Sequence, residues 1–240
     1  MADQEMIKHT KVAYRALNNP LTSWKHKLKE VSMEILIIVF AVSLSIWLHS
    51  WNEKRHERSE AIAFLKGLNT DIGNDLLQLK SDRETYLRVL NGGAYFLKVS
   101  NGDSLSKDSL AKYRWIFYNT TFFQVNGSRY QALKASGKID IIEDKVLLDN
   151  IIAFYEHEIP YVNMLNSDFN NYKTGKLGEF LDENIVIAKD GSNNWGEILK
   201  TNRMRNTLLR MKNVQQNISQ YIVAEKYVVK MQELINEELK

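Results

Sequence analysis

Cysteine is absent from this chain, so disulfides, thiolate nucleophiles and zinc–thiolate sites are all excluded. That absence suits either side of a bacterial inner membrane. Helix breakers are scarce as well: the only prolines are Pro20 and Pro160, and there are eleven glycines. With so few breakers and abundant Leu, Ile, Lys and Glu, long helices are favoured over short strands. Charge of one sign is also lacking, because Lys and Arg alternate with Asp and Glu and the formal net charge is only +3. Such mixing describes a solvated helical surface rather than the one-sided basic stripe that phosphate backbones require, so no nucleic-acid partner is expected. No Gly-x-x-x-x-Gly-Lys loop, Gly-x-Gly-x-x-Gly turn or Gly-x-Ser-x-Gly elbow is present. The chain is therefore expected to be no enzyme and to carry no cofactor.

What the sequence does have is one long apolar run. From Ile35 to Asn52 it reads ILIIVFAVSLSIWLHSWN, 18 residues without Asp, Glu, Lys or Arg. A hydrocarbon core needs roughly 20 residues at about 1.5 Å per residue. Trp24 precedes the run and Trp47 and Trp51 lie near its far end, where amphipathic indoles prefer the headgroup layer. A cleaved signal peptide fits poorly, since the run starts late and no small-residue cleavage site follows. The expectation is a cytoplasmic basic tail with an interfacial helix over 1–33, a transmembrane helix over 34–52 and a soluble helical domain over 53–240. Within about 20 residues of the span each side carries four Lys or Arg, so the charge rule is nearly tied. The tail adds Lys8 and Lys11, which would have to cross in the reverse topology. The preferred orientation has the N-terminus inside and the large domain outside, in the periplasm.

One stripe of the span differs from the rest. At about 100° per residue, Glu34, Ala41, Ser45 and Asn52 fall close to one line. Ala41 and Ser45 form a small-xxx-small pair that lets two backbones approach. The partners this implies are membrane lipid and either a second copy of the chain or another membrane protein. Beyond the span, Leu65, Leu68, Ile72, Leu76 and Leu79 follow the spacing of a helix with one buried face. Asp75 reads as surface charge. The helix is expected to end at Asn91-Gly92-Gly93 or at Ser100-Asn101-Gly102.

A second helix, capped by Asp103, Ser104 or Ser106, should carry the aromatic run Tyr113, Trp115, Phe117, Tyr118, Phe122 and Phe123. Residues 128–137 read as a short helix closed by Gly137, and Ile142 to about Leu181 as a long helical stretch interrupted or kinked at Pro160. The stretch from Asn184 to Trp195 reads as a loop. A final helix from Trp195 to Leu239 should turn Met204, Leu208, Met211, Ile218, Ile222, Val228 and Ile235 to the core. The fold class expected is all-α: a single transmembrane helix continuing into an elongated helical bundle.

Candidate chemistry is thin. Glu53-Lys54-Arg55-His56 is formally the Glu-x-x-His of di-iron bundles, but the second such motif and the further glutamates are missing. Adjacent residues in Glu156-His157-Glu158 point around a helix rather than at one ion, so exposure is expected there. Asp140, Glu143 and Asp144 surround a turn, where helix-start electrostatics explains them.

The anchor resembles a family of uncharacterised bacterial membrane-anchored proteins, a domain of unknown function. The carrying residues are Met33-Glu34-Ile35-Leu36, the apolar run, and Trp51-Asn52-Glu53 before a charged helix. The family pattern opens with an acidic residue and closes with Asn-Trp-Asn-Glu; here Ser50 stands for the first Asn and Met33 for a Gly. A looser match is Tyr130-Gln131-Ala132-Leu133-Lys134-Ala135-Ser136-Gly137. The resemblance implies a membrane-anchored helical protein and brings no reaction, ligand or catalytic residue. The function expected is a structural or interaction subunit of the envelope. The alternative is a ligand-sensing bundle that signals through a partner protein.

The helical wheel makes a direct forecast. Single cysteines placed along the span of this cysteine-free chain should crosslink most at positions 41 and 45 and least at 39 and 43. Replacing both Ala41 and Ser45 with Leu should weaken association while leaving insertion intact. A flat crosslinking profile would leave the helix as a simple anchor.

Overall fold

The computed structural model describes residues 24–240, apart from the side chains of residues 25–27. Residues 1–23 of the tail expected over 1–33 lie outside the described residues. The described chain is all-α, and its only strand-like pairing among those residues is an isolated bridge between Ile187 and Asn193. It divides into two compact units, one ending at Glu60 and one running from Ala61 to Lys240.

Helix α1, Trp24–Ser100, is 77 residues long and contributes to both. In the first unit no described side chain of 28–60 is buried, and large apolar residues such as Leu36 and Phe40 are 65% exposed. In the second unit α1 buries Ala61, Leu65, Leu68, Ile72, Leu79, Tyr86, Val89 and Phe96, the one-sided pattern of a core helix. Its end falls at the second of the two expected signals: Asn101 N–H reaches back to the Leu97 carbonyl, and Gly102 takes a φ of +120°. Gly92 and Gly93 do not stop the helix. A Cβ on Gly92 would stand 3.1 Å from Ile116 and Tyr113, so this glycine serves the close approach of a neighbouring segment.

Helix α2, Lys107–Tyr113, is capped by Ser106, whose hydroxyl accepts from Ser109 N–H. The expected continuation through the aromatic run is wrong. A 3₁₀ turn, Arg114–Phe117, follows, and residues 118–127 carry no regular structure. Ile116, Phe117 and Phe123 are buried there, while Tyr118 and Phe122 are exposed. Helix α3, Ser128–Ala135, ends as expected with Gly137 at a φ of +70°. Helix α4, Lys145–Ala153, starts at Asp144, whose carboxylate accepts from Val146 and Leu147 N–H.

The α-helix is then interrupted next to Pro160, as expected, by a change of helix type rather than by a loop. A π-turn over Phe154–Glu158 leads into α5, Ile159–Tyr172, with Pro160 in its first turn. Proline lacks an N–H and crowds the preceding turn. Widening that turn, with Ile159 N–H bonding the Phe154 carbonyl, makes room for the ring without ending the helix. A second π-turn, Lys173–Leu177, leads into α6, Gly178–Asn184. The loop of 185–194 follows.

The single final helix expected is three: α7, Trp195–Ile198; α8, Asn202–Met211; and α9, Val214–Glu238. The first break is a local competition, in which the Thr201 hydroxyl caps α8 by accepting from Met204 N–H. Met204, Leu208, Met211, Val228 and Ile235 are buried and Ile218 is partly so, but Ile222 is 38% exposed. Phe117 stacks between Phe96 and Trp195, with ring centroids 5.1 and 5.3 Å away. The aromatic run thus joins α1 to α7.

Two adjacent glycines give a paired test of this packing. Gly92→Leu should lower the urea midpoint by an overpacking cost of about 1–3 kcal/mol. A Cβ on Gly93 meets nothing within 4 Å. Gly93→Ala should therefore raise stability by about 0.5–1 kcal/mol, the helix-propensity gain.

Candidate functional site

An irregular segment inside a helical layer leaves backbone groups that need partners. In residues 118–127 the two ends bond to neighbouring backbone, and the middle obtains partners from side chains. Asn170 on α5 donates to the Thr121 carbonyl at 2.9 Å and accepts from Thr121 N–H at 3.2 Å. Lys173 donates to the Asn119 carbonyl and to its side-chain oxygen. Gln78 on α1 donates to the Phe122 carbonyl at 3.0 Å. Asp75 accepts from the Asn126 backbone and side chain at 2.9 and 2.7 Å. Asp75 is fully buried, which corrects the surface reading, and burial raises its pKa. Lys173 is only 2% exposed, and burial pulls its ammonium down to about 7.

Beside this clamp lies a buried chain of hydroxyls and amides. Tyr86 donates to the Asn166 side-chain oxygen, and Asn166 donates to the Tyr221 hydroxyl, both at 2.8 Å. The Asp82 carboxylate stands 3.5 Å beyond Tyr221. Burial pushes Asp82 up to about 6. Arg83 bonds Glu225 at 2.7 Å, and Gln220 bonds Glu158 at 2.6 Å. Glu156 is half-buried, against expectation: it accepts from Tyr130 at 2.9 Å and Lys134 at 2.8 Å, which hold its carboxyl below the usual range. His157 is exposed.

Two concavities stand out in the second unit. A groove of about 800 Å³ lies between α1 and α3, where Arg129 reaches Asp71 at 2.9 Å. A tighter cavity of about 150 Å³ lies between α5, α8 and α9. Leu165, Asp168, Phe169 and Tyr172 enter it from one face of α5. Arg210, at the end of α8, and Asn213, Gln216 and Asn217, around the start of α9, close the other side. The Arg210 guanidinium lies 4.2 Å from the centre of the Tyr172 ring, and Tyr172 donates to Thr207 at 3.0 Å.

The residues singled out in the sequence lie in the first unit. Ala41, Ser45 and Asn52 are exposed and Glu34 is half-buried. Trp24, Trp47 and Trp51 are exposed, and the Arg55 guanidinium sits 5.8 Å from the Trp51 ring centre. The Ser45 hydroxyl donates to the Ala41 carbonyl at 2.8 Å, a bond within its own helix. His56 stands 3.2 Å from Glu60. Among the described residues no cluster of three or more His, Asp or Glu could hold a metal ion. Sequence reasoning missed Asp75, Asn166, Asn170, Lys173 and the whole α5–α8–α9 cavity. The available signal was a polar residue interrupting an apolar 3-4 spacing: Ile159, Val162, Asn166, Lys173 and Leu177 share one buried face.

These features define an all-α protein with one described helix long and apolar enough to cross a membrane. The chain belongs to DUF6090, a family of unknown function, which matches residues 34–187. The match opens on Glu34 and takes in the apolar run, the clamped segment and Asp168; Arg210 and Asn217 lie beyond it. No curated protein and no solved structure matches the chain.

The raised Asp82 pKa makes a signed forecast. Its carboxyl holds a proton more tightly in the folded state than at its ordinary 3.8, so its contribution to stability is greatest when protonated in both states. That contribution is fully present below about pH 4 and is lost as pH rises through about 6. Asp82→Asn should gain on the parent in urea midpoint between about pH 4 and about pH 7. A constant difference across that range would show that Asp82 does not titrate there.

Proposed function

We propose that this chain is a single-pass subunit of a bacterial inner membrane, with its N-terminus cytoplasmic and its helical domain periplasmic, acting through contacts with other proteins or with itself. The observation that carries the anchor is exposure on every side. From Ile35 to Trp51 the apolar side chains of α1 are largely uncovered, including Ile35, Leu36, Ile37, Val39, Phe40, Val42, Leu44, Ile46 and Leu48. Water tolerates no apolar surface of that extent on a soluble monomer, whereas lipid does. Trp47 and Trp51, with Arg55 beside Trp51, suit the headgroup layer at the far end.

Association through Ala41 and Ser45 would rest on close packing. The Ser45 proton is already engaged with the Ala41 carbonyl. A neighbouring helix therefore gains backbone approach and an acceptor oxygen rather than a new donor. The reading assigns the protein no reaction.

A second reading, a ligand-sensing bundle that signals through a partner, is favoured by the cavity between α5, α8 and α9. Small-molecule sites in helical proteins sit between helices, with a few convergent polar groups among apolar walls. Here Leu165, Phe169 and Tyr172 supply the apolar wall, and Asp168, Arg210, Asn213, Gln216 and Asn217 the polar groups.

Membrane anchoring is tested by deletion. The full chain should stay with membranes through an alkaline wash, and removal of 35–51 should release a soluble, strongly helical protein. Retention of the deletion variant on lipid vesicles without other proteins would overturn the anchor.

A further inference from the structure

Most of the second unit interleaves charges of both signs, but helix α8 and its flanks do not. Residues 198–224 contain no Asp or Glu and five Lys or Arg: Lys200, Arg203, Arg205, Arg210 and Lys212. All five are exposed, and among the described residues none has an ion-pair partner. A comparable acid-free run, 109–139, differs in this respect, because Arg129 and Lys134 there meet Asp71 and Glu156. We infer that the outer face of α8 docks an acidic helix of another protein, laid alongside it as in a short coiled coil. The inference rests on the first reading above, that the protein acts through protein contacts, and names the kind of partner.

Helical spacing sorts the cations into two rows. Positions seven apart on a helix fall within about 20° of each other and roughly 10 Å apart along the axis. Arg203 and Arg210 form one row. Arg205 and Lys212, whose backbone keeps helical geometry at the C-cap, form the other. On the core side the rows are separated by Met204, Leu208 and Met211, all buried. On the outer side they are separated by Asn202, Asn206 and Leu209, and Leu209 is 44% exposed. Those three follow the spacing of four then three that defines a coiled-coil seam, and the two rows occupy the positions flanking it. Every flanking position of this seam is therefore cationic.

Two rows of one sign select the partner. A second copy of α8 sets cation against cation whether it runs parallel or antiparallel, so the seam rejects self-pairing. A helix with Asp or Glu at its own flanking positions meets both rows at once. One row is already oriented: the Arg203 guanidinium lies 4.4 Å from the centre of the Phe180 ring, and that of Arg210 lies 4.2 Å from Tyr172. Stacking fixes the plane of a guanidinium and leaves edge N–H groups for carboxylates. Asp168 lines the hollow beside Arg210 but forms no ion pair with it. A bilayer fits less well, because a lipid-bound basic helix sinks an apolar face into the acyl boundary, and that face of α8 is buried in the core. Leu209 is the one apolar contact between amides on the seam, so the attraction comes mainly from charge and weakens with salt.

The test uses the full chain in nanodiscs of zwitterionic lipid and a labelled synthetic helix with Leu on its seam and Glu on both flanks. The comparison probes are a mixed helix with Glu on one flank and Lys on the other, an unstructured polyglutamate, and vesicles of phosphatidylglycerol. Fluorescence anisotropy should show saturable binding of the glutamate helix, weakened roughly tenfold or more between about 50 mM and about 500 mM salt. Arg205→Glu combined with Lys212→Glu should weaken that binding by a similar factor and make the mixed helix the preferred probe. Both positions are exposed, and unchanged melting curves will show that the variant folds. Arg205→Gln with Lys212→Gln, which adds no new charge, should weaken the glutamate helix without favouring the mixed one. Absence of saturable binding, equal binding of polyglutamate, or a preference indifferent to the double reversal would overturn the proposal. Vesicles that displace the glutamate helix through Arg205 and Lys212 would make the face a lipid surface and overturn it too. Failure here while the full chain stays on membranes through an alkaline wash removes this surface and keeps the anchored subunit. Release by that wash removes the anchored subunit, whatever the helix does.

Discussion

The second unit is organised around a debt of backbone hydrogen bonds. Residues 118–127 run through a helical layer without a helix or ladder of their own, yet they bury Thr121 and Phe123. Their N–H and C=O groups must find partners away from water. Backbone bonds at either end serve Tyr118, Asn119 and Gly127, and four side chains serve the middle: Asp75 and Gln78 from α1, Asn170 and Lys173 from α5 and its π-turn. Two of the four carry formal charge at neutral pH in solution, and burial shifts both toward their neutral forms. The buried charges of this protein are thus explained by the backbone they serve, with no reaction invoked. Removing any one of them would strand a peptide group rather than merely delete a contact.

Helix α1 illustrates how one secondary structure answers to two different surroundings. Its composition changes along its length while its backbone does not. Over 35–51 it is apolar on every side; from Ala61 it is apolar on one face and polar elsewhere. Both patterns were legible in the sequence, because length and periodicity report the surroundings of a helix directly. The all-α class was legible for the same reason. The stop at Ser100 could be narrowed but not chosen, since Gly92 serves packing against Ile116 and nothing near it in sequence says so.

What escaped the sequence was every feature that depends on a partner distant along the chain. Asp75 sits 51 positions from Asn126, and Lys173 sits 54 from Asn119. A charged residue on a helix reads as solvated by default, and only the facing backbone overturns that. The aromatic run was read as helical because its residues are bulky and closely spaced. Asn119, Thr120 and Thr121 are poor helix formers and stood as the countersignal. The division of the last helix was hidden for a similar reason. Thr201 caps α8 through a local hydroxyl bond that competes with continuation of the helix, and the apolar spacing on either side does not reveal the break.

Helix α5 links these observations to the cavity. One of its faces, Asn166, Asn170 and then Lys173, is bonded to Tyr86, Tyr221, Thr121 and Asn119. An adjacent face, Leu165, Asp168 and Tyr172, forms one wall of the cavity. Successive helix positions turn by about 100°, so fixing the first face also fixes the direction of the second. Tyr172 is further held by Thr207 and by the Arg210 cation stacked on it. The wall that presents Asp168 is therefore held by the same bonds that clamp the backbone segment. Asn217, across from this wall, is only 5% exposed and its side chain bonds toward the buried Tyr86 hydroxyl, so it belongs to the same polar chain as Asn166. The backbone clamp on one side of α5 thus sets the geometry of the cavity wall on the other.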